Sequence, residues 1–173
     1  MSAIELAVEV LGWAGTLLHR IVPALLVTLA GCTTAPATRP ATSVDLLSAQ
    51  EALFRHQIVR VAPPGSEYTT VCISTQGFRP QSDPAPDLVA RLRDITPPVK
   101  PWSACRWNDA RPLDAATGRP AVQVAQFLQC VDADHCKGSG GYAYGNLGAN
   151  FFDYTLTRQS GRWAVRELMT GIS

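Results

Sequence analysis

The stretch that decides the fold is residues 151–170, which read FFDYTLTRQSGRWAVRELMT. Apolar and polar side chains alternate on both sides of the turn sequence at 159–162, and this pattern is typical of two β-strands joined by a short loop. Short connections favour antiparallel neighbours, because a parallel pair needs a long crossover. We therefore predict a β-hairpin with strands at 151–158 and 163–170.

Two more strands are predicted immediately before this hairpin. Residues 121–130 alternate between apolar and polar side chains, and residues 142–147 form the second strand. The run Gly138-Ser139-Gly140-Gly141 between them is interpreted as a flexible turn. The last third of the chain is thus expected to form an antiparallel, meander-type sheet.

The N-terminal half of the domain is predicted to supply the helices. Residues 43–60 carry apolar side chains at helical spacing, and residues 83–94 begin with Asp83-Pro84, a cap followed by proline at the first helical position. One strand, residues 67–75, lies between them. Residues 43–173 are therefore expected to form a single α+β domain, in which two N-terminal helices pack on the meander-type sheet.

The C-terminal hairpin also carries a resemblance to a known fold class. Its form Tyr-x-Leu-x-Arg-x-x-Gly-x-Trp-x-Val is made by Tyr154, Leu156, Arg158, Gly161, Trp163 and Val165. With helices placed before the sheet, this pattern is similar to cone-shaped α+β folds of the nuclear transport factor 2-like class. Such folds hold enzymes as well as non-catalytic binding modules, so the resemblance implies a fold and no activity.

An export signal is predicted at the N-terminus. A short apolar run at 21–28 follows the basic pair His19-Arg20 and precedes Leu29-Ala30-Gly31-Cys32. This order is typical of a secretory signal, and the last four residues resemble the lipobox of bacterial lipoproteins. The resemblance implies cleavage between Gly31 and Cys32 and attachment of fatty acyl groups, such as palmitate, to the new N-terminal cysteine.

An uncleaved membrane anchor is the alternative interpretation of this region. A helix spanning 3–31 would place two glutamates within or beside the membrane, where charges are costly. Because the chain begins with an acidic rather than a basic region, residues 1–17 are interpreted as an extension from a mis-assigned start. The predicted organisation is a signal peptide at 1–31, a flexible tether at 32–42 without large apolar side chains, and the domain.

Composition narrows the expected partners. The chain of 173 residues has a net charge of +1, and no segment concentrates basic side chains as a nucleic-acid groove requires. Nucleic acid is therefore not an expected partner. The expected partners are the membrane, through the lipid on Cys32, and an envelope protein.

The residue after the predicted lipidated cysteine is Thr33. In the lipoproteins that this region resembles, a residue other than Asp at this position is typical of sorting to the outer membrane, which implies a domain that faces the periplasm.

Four cysteines remain after Cys32, and an even number in an exported chain predicts a disulfide framework. They are Cys72, Cys105, Cys130 and Cys136. Three pairings are open to four cysteines. The short separation of Cys130 and Cys136 favours a bond between them, and this leaves Cys72 with Cys105.

No motif identifies an activity. The loop around Asp132, Asp134 and His135, between two cysteines, offers zinc-type ligands, but a disulfide-closed loop with solvated side chains is the favoured interpretation. His56, on a predicted helix, is a candidate general base, but the sequence does not indicate which residue would be its nucleophile. We therefore predict no catalytic residue, no metal and no cofactor.

Aromatic side chains give the one candidate binding surface. Tyr142, Tyr144 and Trp163 are predicted to contribute to an outer face of the sheet. The favoured function is a non-enzymatic, lipid-anchored binding or interaction module of the cell envelope. The alternative is a periplasmic enzyme or small-ligand binder with a cone-like cavity, using His56 or the loop from Asp132 to His135.

Overall fold

The computed structural model describes residues 38–78, 82–146 and 148–173. The predicted signal peptide, its cleavage point and Cys32 lie outside the described residues. Within the described part, the chain forms, in order, α1 (Ser43–Val61), β1 (Thr70–Ser74), α2 (Pro86–Arg91), β2 (Val99–Pro101), a 3₁₀ turn (Trp102–Ala104), β3 (Cys105–Trp107), β4 (Pro112–Asp114), β5 (Ala121–Cys130), β6 (His135–Gly145), β7 (Gly148–Gln159) and β8 (Arg162–Ile172).

Six strands form one mixed sheet in the order β2-β1-β5-β6-β7-β8. β1 is parallel to both β2 and β5, whereas β5 to β8 pair antiparallel. The domain is α+β, as predicted, but the prediction of an antiparallel, meander-type sheet is wrong for β1 and β2. All five residues of β1 and the first six of β5 are buried, which is the pattern of parallel strands that are covered on both faces.

The prediction of two N-terminal helices before the sheet also needs correction. β1 lies between the helices as expected, but it belongs to the same sheet as the later strands, and α2 has only six residues, beginning with Pro86 at its first turn. Asp83 does not cap this helix. Its carboxylate instead accepts hydrogen bonds from the backbone N–H and the hydroxyl of Ser103, each at 2.7 Å.

A capping box starts α1. The Thr42 hydroxyl accepts from the backbone N–H of Asp45 at 3.2 Å, and the Asp45 carboxylate accepts from the backbone N–H of Thr42 at 3.0 Å. Arg39 and Arg158 also bind this carboxylate, at 3.0 and 2.8 Å. Hydrogen bonds from Thr42 and Arg39 hold the pKa of Asp45 well below its usual range. These bonds fasten the start of α1 to the end of β7.

The core lies between α1 and one face of the sheet. Phe54 and Ile58 pack on the half formed by β1 and β5, while Ala49 and Leu53 pack on the half formed by β6 and β7. Each large apolar side chain buried in this way contributes about 1.5–3 kcal/mol to stability. The buried sheet residues that meet the helices include Val71, Ile73, Val122, Val124, Leu128, Phe152, Tyr154 and Leu156.

The glycine run predicted as a flexible turn lies inside β6, in the middle of the sheet. A Cβ atom at Gly138 or Gly140 would meet a backbone carbonyl oxygen of β5, and one at Gly141 would meet a carbonyl oxygen of β7. The strands therefore approach each other here more closely than a side chain permits. The turn prediction is wrong because glycine serves here for close packing of backbones rather than for a bend.

Two disulfides brace the domain, in the pairing that the sequence favoured. Cys72 of β1 is bonded to Cys105 of β3, with Cα atoms 6.1 Å apart. Cys130 and Cys136 stand opposite each other on β5 and β6 and close the loop between them, with Cα atoms 3.9 Å apart. Among the described residues, no helix is both long and apolar enough to cross a membrane.

Candidate functional site

A cleft opens on the face of the sheet that points away from α1. Val71 and Ile73 of β1 pack under α1, so Cys72 between them points to the opposite face. Its disulfide holds the segment 102–107 against that face. Between the segment and the sheet lies a cavity of about 450 Å³, which we call the tryptophan cleft; it is lined by Ser82, Asp83, Trp102, Ser103, Cys105, Arg106, Trp107 and Gln123.

The two indole rings of the cleft are held in different ways. The Trp107 indole N–H donates to the side-chain oxygen of Gln123 at 2.5 Å, and Gln123 is itself only 2% exposed. Trp107 is 40% exposed, so this bond fixes an aromatic ring that is partly open to solvent. Trp102 is 5% exposed and packs against the edge of Phe78, with ring centroids 5.9 Å apart.

Polar groups form the rim of the cleft. Asp83 is joined to Ser103 by the two hydrogen bonds described above, which fix the carboxylate while leaving it accessible to solvent. Arg106 is exposed on the adjoining strand β3. The hydroxyl oxygen of Ser82 is buried and has no hydrogen-bond partner within the described part of the chain. The cleft thus combines an open aromatic ring with donors and acceptors from several elements.

A buried carboxylate stabilises the part of the domain next to the tryptophan cleft. Asp114, at the end of β4, is almost fully buried and accepts from the Lys100 ammonium at 2.7 Å and the Thr70 hydroxyl at 2.6 Å. It also accepts from the backbone N–H groups of Ala116 and Thr117. The hydrogen bond from Lys100, followed by that from Thr70, holds the pKa of this carboxyl well below its usual range. The charged group therefore ties β4 and the following turn to β1 and β2.

The three aromatic residues predicted as a binding surface do not form one surface. The rings of Tyr142 and Tyr144 are neighbours, with centroids 6.2 Å apart, but Tyr142 is half-buried in the core and Tyr144 is 38% exposed. Trp163 lies near the opposite end of the sheet. Its indole N–H donates to Ser48 at 3.0 Å, and the Arg158 guanidinium lies 4.5 Å from its ring. Trp163 thus contributes to the packing of α1 on β8.

His56 is half-buried on α1, away from the cleft. Its Nε2 lies 2.9 Å from a carboxylate oxygen of Glu167, which also pairs with Arg60. Burial, with a smaller effect from Arg60, lowers the pKa of His56. The ring meets the edge of Tyr154, and burial raises the pKa of that tyrosine to about 12. A phenol that stays protonated in this way is a poor nucleophile.

The loop between Asp132 and His135 is organised by its own hydrogen bonds. An oxygen of Asp132 accepts from the backbone N–H of Asp134 at 2.7 Å and lies 2.9 Å from Nδ1 of His135. The flanking cysteines are bonded to each other, so neither supplies the thiolate that zinc prefers. Across the described ranges, no group of three or more His, Cys, Asp or Glu side chains is arranged to hold a metal ion.

Comparisons of the chain with protein-family models, with curated proteins and with solved structures gave no match. A function must therefore be argued from the geometry of the domain. The sequence contained one signal for the cleft, because Trp102 and Trp107 flank Cys105 within six residues. Asp83 and Gln123 carried no such signal, since only the tertiary fold brings them to the same place.

Proposed function

We propose that this chain is a lipid-anchored protein of the cell envelope, and that its domain is a non-enzymatic binding module whose site is the tryptophan cleft. The observation that carries the binding role is the open ring of Trp107, fixed by Gln123 and surrounded by polar groups. Concave sites with aromatic walls and a few fixed polar groups are typical of ligand binding. The two disulfides favour an oxidising compartment such as the periplasm.

The binding role is favoured over catalysis by the surroundings of the titratable groups. Nucleophilic catalysis needs a nucleophile within hydrogen-bond reach of a base. In the described part of the chain, the side chain within reach of His56 is Glu167, which cannot serve as an activated hydroxyl or thiol. The alternative proposal is a periplasmic enzyme or small-ligand binder with a cone-like cavity. The tryptophan cleft supports the small-ligand binder and not the enzyme. The similarity to nuclear transport factor 2-like folds stays a prediction.

The proposed anchor is tested by intact-mass spectrometry of protein extracted from membranes. We expect the mass of residues 32–173 plus acyl groups, and a gain of about four hydrogens on reduction of two disulfides. The Cys32→Ser variant is the control and should lack the acyl mass. An unprocessed or acyl-free mass for the unaltered chain contradicts the anchor, and enrichment in the inner-membrane fraction contradicts outer-membrane sorting.

The proposed binding site is tested by thermal unfolding in the presence of low-molecular-weight material extracted from the envelope. A ligand at one hundred times its Kd stabilises a folded protein by about 2.7 kcal/mol, and this should raise Tm by several degrees. We expect the rise for the unaltered chain and for Trp163→Phe, which alters a tryptophan outside the cleft. Trp107→Ala should show no rise. An equal rise for Trp107→Ala, or none for any protein, contradicts the proposal.

A further inference from the structure

We infer that the tryptophan cleft binds a neutral saccharide, namely a chain of β-linked pyranose units. This inference rests on the proposed binding function and adds the chemical class of the ligand. Its three supports are the open indole of Trp107, the hydrogen-bonding groups beside that ring, and the balance of charge around the cleft.

The open indole fits the apolar face of a sugar ring. A pyranose with equatorial hydroxyl groups presents a flat surface of C–H groups, and such a surface packs well against an aromatic ring. Trp107 offers this ring in a fixed orientation, because its N–H is bonded to the buried side chain of Gln123. A β-1,4-linked chain extends as a flat ribbon, so that it can lie across the ring without bending.

The surrounding groups fit a ligand that is rich in hydroxyls. A hydroxyl both donates and accepts, so it can bind a carboxylate, a guanidinium or an amide. Asp83 supplies acceptors, and Arg106 supplies donors. Ser82 also lines the cleft, and its buried hydroxyl has no partner among the residues that the structure describes.

The balance of charge favours a neutral ligand. Among the lining residues that the structure describes, there is one carboxylate, on Asp83, and one guanidinium, on Arg106. On the same side of the domain, Lys100 is paired with Asp114. A site for a phosphate or for a cation would concentrate charge of one sign, and this lining does not.

Polarity also favours a saccharide over a proline-rich peptide. Grooves that bind proline-rich segments are lined mainly by aromatic side chains. Here five of the eight lining residues that the structure describes are polar, namely Ser82, Asp83, Ser103, Arg106 and Gln123. The cavity volume of about 450 Å³ lies within the range of small-molecule sites and suits a short piece of an extended glycan.

The test is titration of the purified full chain with cellotetraose and with chitotetraose, followed by tryptophan fluorescence and by calorimetry. We expect saturable binding of at least one of these β-1,4-linked probes and at least tenfold weaker binding of α-linked maltotetraose, whose chain is curved. Trp107→Ala should weaken binding at least tenfold. Arg106→Ala, at an exposed position, should weaken it several-fold without altering Tm. Trp163→Phe should bind as the unaltered chain does.

The outcomes separate this inference from the proposed function. If neither probe binds, while envelope extract still raises the Tm of the unaltered chain and not that of Trp107→Ala, the saccharide is wrong and the binding site stands. A proline-rich peptide titrated in the same way is the alternative probe, and its binding in place of the saccharides also shows that the saccharide is wrong and the binding site stands. Probe binding that is unchanged in both Trp107→Ala and Arg106→Ala overturns the placement in the cleft. Absence of both the probe signal and the extract signal overturns both proposals.

Discussion

Replacing Cys72 and Cys105 together with alanine is expected to lower the free energy of unfolding by about 4 kcal/mol. The bond joins residues 33 positions apart, and in the chain-entropy model the loss grows with the length of the closed loop. The Cys130–Cys136 bond closes a loop with a separation of only 6, and its removal is expected to cost about 2 kcal/mol. Urea unfolding of the two double variants measures both losses.

The same replacement should also abolish ligand binding, because the bond holds the wall of the tryptophan cleft to the sheet. Without it, the segment 102–107 keeps the hydrogen bonds of Ser103 to Asp83 and of Trp107 to Gln123. A hydrogen bond between neutral groups is worth only about 0.5–1.5 kcal/mol, and one to a charged group such as the Asp83 carboxylate about 1.5–3 kcal/mol. The Cys130→Ala/Cys136→Ala variant is the matched control and should keep binding. Undiminished binding without the Cys72–Cys105 bond, or equal losses of stability in the two variants, would contradict this account.

Replacing Gly140 with alanine is expected to lower the free energy of unfolding by about 3 kcal/mol, near the upper end for overpacked sites. The added methyl group would meet backbone atoms of Ala125 and Gln126 on β5, and neither can turn aside as a side chain can. The two strands must move apart in the middle of the sheet, under α1. Chemical denaturation monitored by circular dichroism measures the loss.

Gly145→Ala on the same strand is the control for this variant. There the new methyl group would lie 3.5 Å from the carbonyl oxygen of Ala110, which is an ordinary contact. Because alanine also restricts the unfolded chain more than glycine does, we expect a change within about 1 kcal/mol in either direction. Similar losses at Gly140 and Gly145 would show that β5 and β6 do not approach closely.

The sequence predicted the elements that depend on neighbouring residues, such as a helix with periodic apolar side chains or two strands joined by a short turn. The periodicity of residues 43–60 predicted α1 almost to its ends, and alternation beside a turn sequence predicted β7 and β8. β1 was predicted to be a strand, but the strands that pair with it were not predicted. A short apolar run contains no information about which other strand it will pair with. Thr70 pairs with Ala121, and no local rule connects these residues. The parallel half of the sheet was therefore beyond prediction.

The candidate site was less predictable than the fold. Its lining comes from the residues before α2, from the segment 102–107 and from the start of β5. The sequence predicted the Cys72–Cys105 disulfide that assembles the cleft, but not which residues of other elements would meet the segment 102–107. Tyr142 and Trp163 were selected because they are aromatic, yet the structure uses both largely for packing. Aromatic content alone does not separate core from binding surface in a domain of this size.

The position of α1 in the chain has a consequence for the order in which this protein can fold. α1 is the first element of the described part of the chain, but the strands that cover Leu53 and Phe54 are β1, β5 and β7. Leu156, which packs in the same core, lies near the end of the chain. A chain that emerges N-terminus first cannot complete this core until its last hairpin is free, and such long-range pairing folds slowly. The core of this domain is therefore completed only in the last step of folding, after the C-terminal hairpin has formed.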